Sequence, residues 1–172
     1  FPLLIDDWRK LWKHDFPFYF VQLAPFKTNG DPSAVSDWAE LREAQLNATK
    51  VLPNVGMAVI TDVGMEHNIH PTKKAPVGAR LALSARKIAY DQDIVYSGPI
   101  FKKMKIKGDK AILSFDHVDG GLEAREGALK GFSICGKDKK FVWASAEIQG
   151  DKIVVSSSQV EKPIAVRFGW AD

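Results

Sequence analysis

Leu3, Leu4, Trp8, Leu11 and Trp12 recur at helical spacing, while Asp6, Asp7, Arg9, Lys10 and Lys13 fill the intervening faces. That periodicity predicts an amphipathic helix at the start of the chain. Phe16 to Leu23 follows as a continuous aromatic and β-branched run. A run without alternation suits a strand covered on both faces, as in a parallel sheet. Asn29-Gly30-Asp31-Pro32 is turn chemistry. Ser36 stands where a hydroxyl can accept from an orphan helix N–H, and Asp37 suits the positive helix end, which predicts a helix over 37–50. Val55 to Ile60 is a second buried strand, 61–76 a loop, and Val77 to Tyr90 a helix rich in Ala, Leu and Arg. Strand, helix, strand, loop, helix is the order of a crossover unit in a parallel sheet.

The texture changes near Asp91. From Val95 onward short apolar runs alternate with Gly/Asp turns: 100–106, 111–115, 130–135, 141–148, 153–156 and 164–170. This rhythm predicts an antiparallel sandwich or barrel. The division is 1–92 as an α/β part and 93–172 as an all-β domain, with the boundary between Asp91 and Ser97. Two parallel strands cannot form a stable open sheet without neighbours, so the α/β part is read as incomplete. The opening Phe1-Pro2-Leu3-Leu4-Ile5, which lacks an initiator Met, fits a piece of a longer chain.

Composition narrows the classes. The 172 residues are 45% hydrophobic with a net charge of +3, a balance that excludes disordered and fibrous classes. The charge is too small to argue for nucleic acid or a membrane surface as partner. No apolar run approaches the ~20 residues of a membrane helix. Cys135 has no second cysteine to pair with. It lies in the strand-like run Phe132 to Cys135 and is expected to be buried and inert. Lys102, Lys103, Lys105 and Lys107 read as a solvated face protecting a sheet edge.

The reactive groups concentrate in Thr61-Asp62-Val63-Gly64-Met65-Glu66-His67-Asn68-Ile69-His70-Pro71, after the end of a buried strand, where sites form in α/β sheets. A strand-end carboxylate and a loop histidine can supply a general base and the group that orients it. The competing structural reading has Asp62 capping a turn and His70 bonded within the loop. A metal reading rests on His67 and His70 with Asp62 and Glu66, but their spacing falls in a loop containing Pro71 rather than on one helix, and the expectation is no metal and no cofactor. The chain has no G-x-S-x-G, no G-x-G-x-x-G and no Walker sequence, so no nucleophile or phosphate loop is legible. Trp8, Trp12 and Trp38 read as packing aromatics. Trp143 and Trp170 are packing residues or a surface on which sugars stack.

Phe1 to Arg9 resembles the P-L-L-I-x-D-W-R segment of the sialate O-acetylesterase family of SGNH (GDSL-like) hydrolases. Phe18 to Ala24 is similar to its F-x-x-V-Q-L strand, and Trp38 to Gln45 to its L-R-E-A-Q helix. Met57 to Gly64 resembles its M-A-V-x-x-D-x-G strand end. Ile69-His70-Pro71-Thr72-Lys73-Lys74 with Val77 to Ala82 resembles its I-H-P-x-x-K-x-x-V-G-x-R-L segment, and Gly98-Pro99 and Arg167 to Trp170 resemble its β region. The resemblance spans nearly the whole chain.

The resemblance implies the C-terminal part of an SGNH-type α/β/α hydrolase domain followed by an antiparallel β-sandwich-like domain. It implies a carbohydrate O-acetylesterase in which His70 is the general base. The nucleophilic serine and the oxyanion donors belong to an N-terminal block, a partner segment that this sequence does not contain, so the chain alone is expected to be inactive. The superfamily's acid position three residues before the histidine is His67 here. Asp62, Asn68 or a backbone carbonyl is left to orient His70. Arg42 and Gln45 are expected to pair a helix with the sheet, and Arg80 to stabilise its own helix. O-acetylated sialic acid or another acetylated glycan is the implied substrate, acetylated xylan included. An extracytoplasmic setting, periplasmic, secreted or lysosomal, is the implied location. The alternative is a non-catalytic carbohydrate-binding or assembly piece that uses Trp143 or Trp170.

Overall fold

The computed structural model describes residues 1–27, 30–125 and 127–172; Asn29 of the predicted turn lies outside them. The chain divides into two compact units. One comprises Phe1–Thr28, Ser36–Ser97 and Asp172, and the other Asn29–Val35 and Gly98–Ala171.

In the first unit α1 (Pro2–Trp12) begins with Pro in its first turn, where a missing N–H costs nothing, and stops at Lys13 in the left-handed region. Only Ile5 and Arg9, one turn apart, are buried on this helix. Trp8 and Trp12 pack against the Phe18 and Phe16 rings, as expected of packing aromatics, but each keeps its outer face exposed. β1 (Phe18–Val21) and β2 (Val55–Ala58) pair in parallel, Phe18 opposite Val55 and Val21 opposite Ala58. Between them runs α2 (Asp37–Val51). Its cap is the expected one: Ser36 Oγ accepts from the Ala39 N–H at 2.9 Å and donates to Asp172 at 2.6 Å.

α3 (Lys74–Ile88) starts three residues before the predicted position. Pro76 falls in its first turn, where no intrahelical N–H is needed, so it begins the helix instead of delaying it. α3 packs closely on the sheet at Gly56. A Cβ there would lie 2.8 Å from the Ser84 Cβ and 2.9 Å from the Tyr19 ring. Gln22 and Gln45 fasten α2: the Gln22 side chain donates to the Arg42 carbonyl at 3.2 Å, and Gln45 Oε1 accepts from the Leu23 N–H at 2.9 Å. Burial holds the Arg42 guanidinium below its ordinary range, with Asp172 opposing.

The second unit is all antiparallel. β3 (Ile100–Lys107), β4 (Lys110–Asp116), β7 (Ser145–Gln149) and β8 (Lys152–Ser156) form one sheet in the order β3-β4-β8-β7. β5 (Phe132–Cys135), β6 (Val142–Trp143) and β9 (Ala165–Phe168) form another in the order β6-β5-β9. The run 141–148, expected as one strand, is cut at Ala144 and divided between the two sheets. Both sheets feed one core of Ala111, Leu113, Phe132, Ile134, Ala146, Ile153, Val155 and Val160. Lys102, Lys103, Lys105 and Lys107 are exposed along β3, an edge strand, as expected of gatekeeping charges. Cys135 is buried, and burial raises its thiol pKa, which keeps it protonated and unreactive. Asp31 shapes the segment before α2: its Oδ1 accepts from the Ser33 N–H at 2.8 Å, and the Ser33 hydroxyl donates to the Phe141 carbonyl at 2.6 Å. Among the described residues no helix is long and apolar enough to cross a membrane.

Candidate active site

The histidine loop, 59–73, leaves the end of β2 and returns as α3. Its floor is apolar: Ala24, Ile60 and Val63 are buried together, with Val21 and Val77 packed against them. The loop approaches the segment after β1 so closely that residue 64 has no room for a side chain. A Cβ on Gly64 would fall 2.5 Å from Pro25 Cγ and 3.1 Å from the Pro25 carbonyl oxygen. Two residues on, the Glu66 carbonyl accepts from the Lys27 N–H at 3.0 Å. These contacts seat the loop across the C-terminal end of both parallel strands, the place where α/β sheets gather their sites.

Gly64→Ala should therefore displace the loop or Pro25. Overpacking of this kind costs about 1–3 kcal/mol. A matching fall in the urea midpoint, with faster amide exchange confined to the loop and the residues around Pro25, is the expected result.

His70 stands exposed on this loop. Its backbone N–H donates to Asn68 Oδ1 at 2.8 Å, so Asn68 shapes the turn that presents it. Pro71 is buried directly after it, which anchors the chain on one side of the imidazole. Among the described residues the imidazole itself has no hydrogen-bond partner. His67 faces Glu66 at 3.9 Å and is turned to solvent. No three metal-ligating side chains converge among the described residues.

Asp62 is drawn to a different partner. Arg80, on α3, grips its carboxylate with two parallel bonds of 2.6 Å and also donates to the Val59 carbonyl at 2.7 Å. The bond to Asp62 is the main reason the guanidinium pKa is raised, against a desolvation effect that lowers it. Arg80 was expected to stabilise its helix; it instead ties that helix to the end of β2. An Asp and an Arg eighteen positions apart leave no periodic signal, so spacing could not have revealed the pair.

Of the two tryptophans considered for sugar stacking, Trp170 carries the Arg167 guanidinium 4.5 Å from its ring, and Phe141 holds the other side at 4.0 Å. Trp143 is half exposed. It lines a shallow depression of about 370 Å³ with Leu129, Lys130, Gly131, Phe132 and Ala144.

Known proteins resolve the class first. A carbohydrate acetylesterase from Xanthomonas citri superposes with a TM-score of 0.87 at 45% identity, over 98% of this chain and 39% of that one. This is a mixed α/β protein with antiparallel sheets whose relatives are carboxylic-ester hydrolases. The sialate O-acetylesterases of Mus musculus, 28% identical over 191 residues, and Homo sapiens, 27% identical over 192, each align with 99% of the chain. Nearly the whole chain is thus similar to sialate O-acetylesterases. It spans about a third of the length of these relatives, 35% and 36% respectively. No family model matches it.

Proposed function

We propose that this chain is the histidine-bearing, C-terminal part of a carbohydrate O-acetylesterase of the SGNH type. The observation that carries the reading is His70, exposed on a loop that is packed and fastened beneath it at the C-terminal end of a parallel sheet. The relatives' names supply the ester and the sugar. O-acetylated sialic acid is the first substrate to test, with acetylated xylan and other acetylated glycans as alternatives. An extracytoplasmic location goes with this reading, as does a sandwich architecture for the second unit.

The chemistry follows from an imidazole that can both take and give a proton near neutral pH. His70 removes the proton from a serine hydroxyl supplied by another segment. The serine oxygen attacks the acetyl carbonyl, and the imidazolium then passes its proton to the departing sugar oxygen. Water cleaves the acetyl-serine bond by the same route in reverse. His70 accepts the water proton and returns it to the serine, and acetate leaves. The oxyanion donors belong with that serine segment.

The sheet supports such a partner. Among the described residues β1 pairs only with β2 and is half-buried throughout, whereas Val55 and Ala58 of β2 are buried. Phe1 and Trp8, both about half exposed, lie against Phe18 and Phe20 beside that open edge. A parallel strand added to β1 would satisfy its backbone groups and cover these rings.

The test is acetate release from O-acetylated sialic acid by the chain alone and by the chain with the serine-bearing segment. The expected result is no turnover alone and turnover when both are present. Acetate release by the 172 residues alone would overturn the proposal. Trp143 favours a second reading, sugar binding without catalysis. That reading predicts saturable glycan binding by the isolated chain that Trp143→Ala abolishes.

A further inference from the structure

We propose that Asp62 and Arg80 form a clamp that positions the histidine loop, and that His70 works without Asp62 as its orienting carboxylate. The inference rests on the assignment of His70 as the base, and it defines what the neighbouring acid does.

Both Asp62 oxygens are engaged by the fork of one guanidinium at 2.6 Å, the geometry that carries directional information in an Arg–carboxylate pair. The third bond, to the Val59 carbonyl at 2.7 Å, makes Arg80 a staple across the last residues of the strand run and the first turn of the loop. The other end of the loop is already joined to α3, so the clamp fastens both ends of the segment carrying His70 to the same helix. Between them the segment is held by Val63 in the apolar floor, by Gly64 against Pro25, by the Glu66 carbonyl and by buried Pro71.

Energy does not account for the arrangement. Asp62 and Arg80 are 53% and 34% exposed, and a solvated ion pair contributes little to stability. What the pair supplies is a fixed angle between loop and helix, and catalysis is sensitive to displacements of the order of 1 Å. A carboxylate already neutralised by a guanidinium is also a poor stabiliser of a forming imidazolium. Both oxygens of Asp62 are turned to Arg80, and among the described residues the His70 ring makes no hydrogen bond. A dyad, oriented by a backbone carbonyl or by water, fits this site better than a triad through Asp62.

The experiment uses the 172-residue chain and follows loop amide exchange and the His70 ring signals by NMR in Asp62→Asn, Arg80→Gln and the double variant. Loop amides should exchange about three- to fivefold faster in either single variant, the scale of an exposed bidentate pair. The double variant should add nothing, because one interaction is lost in all three. The ring signals should follow the same curve with pH in Asp62→Asn as in the parent. A ring curve altered by Asp62→Asn makes Asp62 a direct partner and overturns the proposal, as does unchanged loop exchange in both single variants. In the serine-complemented enzyme, Arg80→Gln should lower kcat with KM and the pH–rate profile unchanged; a displaced profile would likewise overturn it. If His70→Ala left turnover intact, the base assignment would fail while the NMR result still decided the clamp.

Discussion

Replacing His70 by Ala in the serine-complemented enzyme should lower kcat by about 10²–10⁴-fold, the range that positioned general acid–base groups supply. KM should change little, because the imidazole acts on protons that move in the transition state rather than on the bound sugar. Folding should be unaffected, since the side chain is exposed and makes no hydrogen bond among the described residues. Acetate release at saturating and limiting substrate separates the two parameters, and a far-UV spectrum with an unchanged urea midpoint verifies the fold. Retained kcat in a correctly folded variant would remove His70 from the mechanism. His67→Ala provides the internal contrast. Its ring faces Glu66 in solvent, and turnover should stay close to that of the parent.

The largest effect on stability should come from Arg9. Its side chain is 9% exposed and meets three carbonyls. Nε and Nη2 donate to Phe16 O at 3.2 and 3.0 Å, and Nη2 also reaches Pro53 O at 3.0 Å and Asn54 O at 3.4 Å. Asp15 pairs with Nε at 2.9 Å. Phe16 lies just before β1, and Pro53 and Asn54 just before β2, so one guanidinium gathers the entry points of both strands beneath α1. Arg9→Ala strands these carbonyls and should cost about 2–4 kcal/mol. Arg9→Lys keeps the charge but loses the fork, and should recover only part of that loss. Asp15→Asn should cost under ~1 kcal/mol, because Asp15 is 60% exposed. Urea unfolding followed by the fluorescence of Trp8, Trp12 and Trp38 would rank the three variants. Equal losses for Arg9→Ala and Asp15→Asn would show that the salt bridge, rather than the carbonyl contacts, matters.

Arg9 also shows where sequence reading stops. The helical period of α1 places Arg9 among charged neighbours and calls for a solvated residue, yet it is the most deeply anchored polar group on that helix. Two of the three carbonyls it meets lie more than forty positions away. Trp8 and Trp12 show the converse. Aromatic residues at helical spacing predict a covered face, yet each of these rings is covered on one side only, by Phe18 and Phe16, and is exposed on the other. In the second unit the Gly/Asp turns marked most strands correctly. The break at Ala144 carries no turn signal, because leaving one sheet for another depends on which edge is already filled.

The sequence by itself determined the order and kind of most elements, the change of texture from α/β to short strands after Asp91, the Ser36 cap and the loop that carries His70. Each is written in contiguous residues, through side-chain period, capping hydroxyls and turn chemistry. Tertiary structure alone decided that Asp62 faces Arg80, that Arg9 gathers the strand entries, and that Gly64 must lie bare against Pro25. Those choices belong to residues brought together only when α3 and the loop close over the parallel strands. Partner selection among distant charges follows packing distance, which local spacing does not encode.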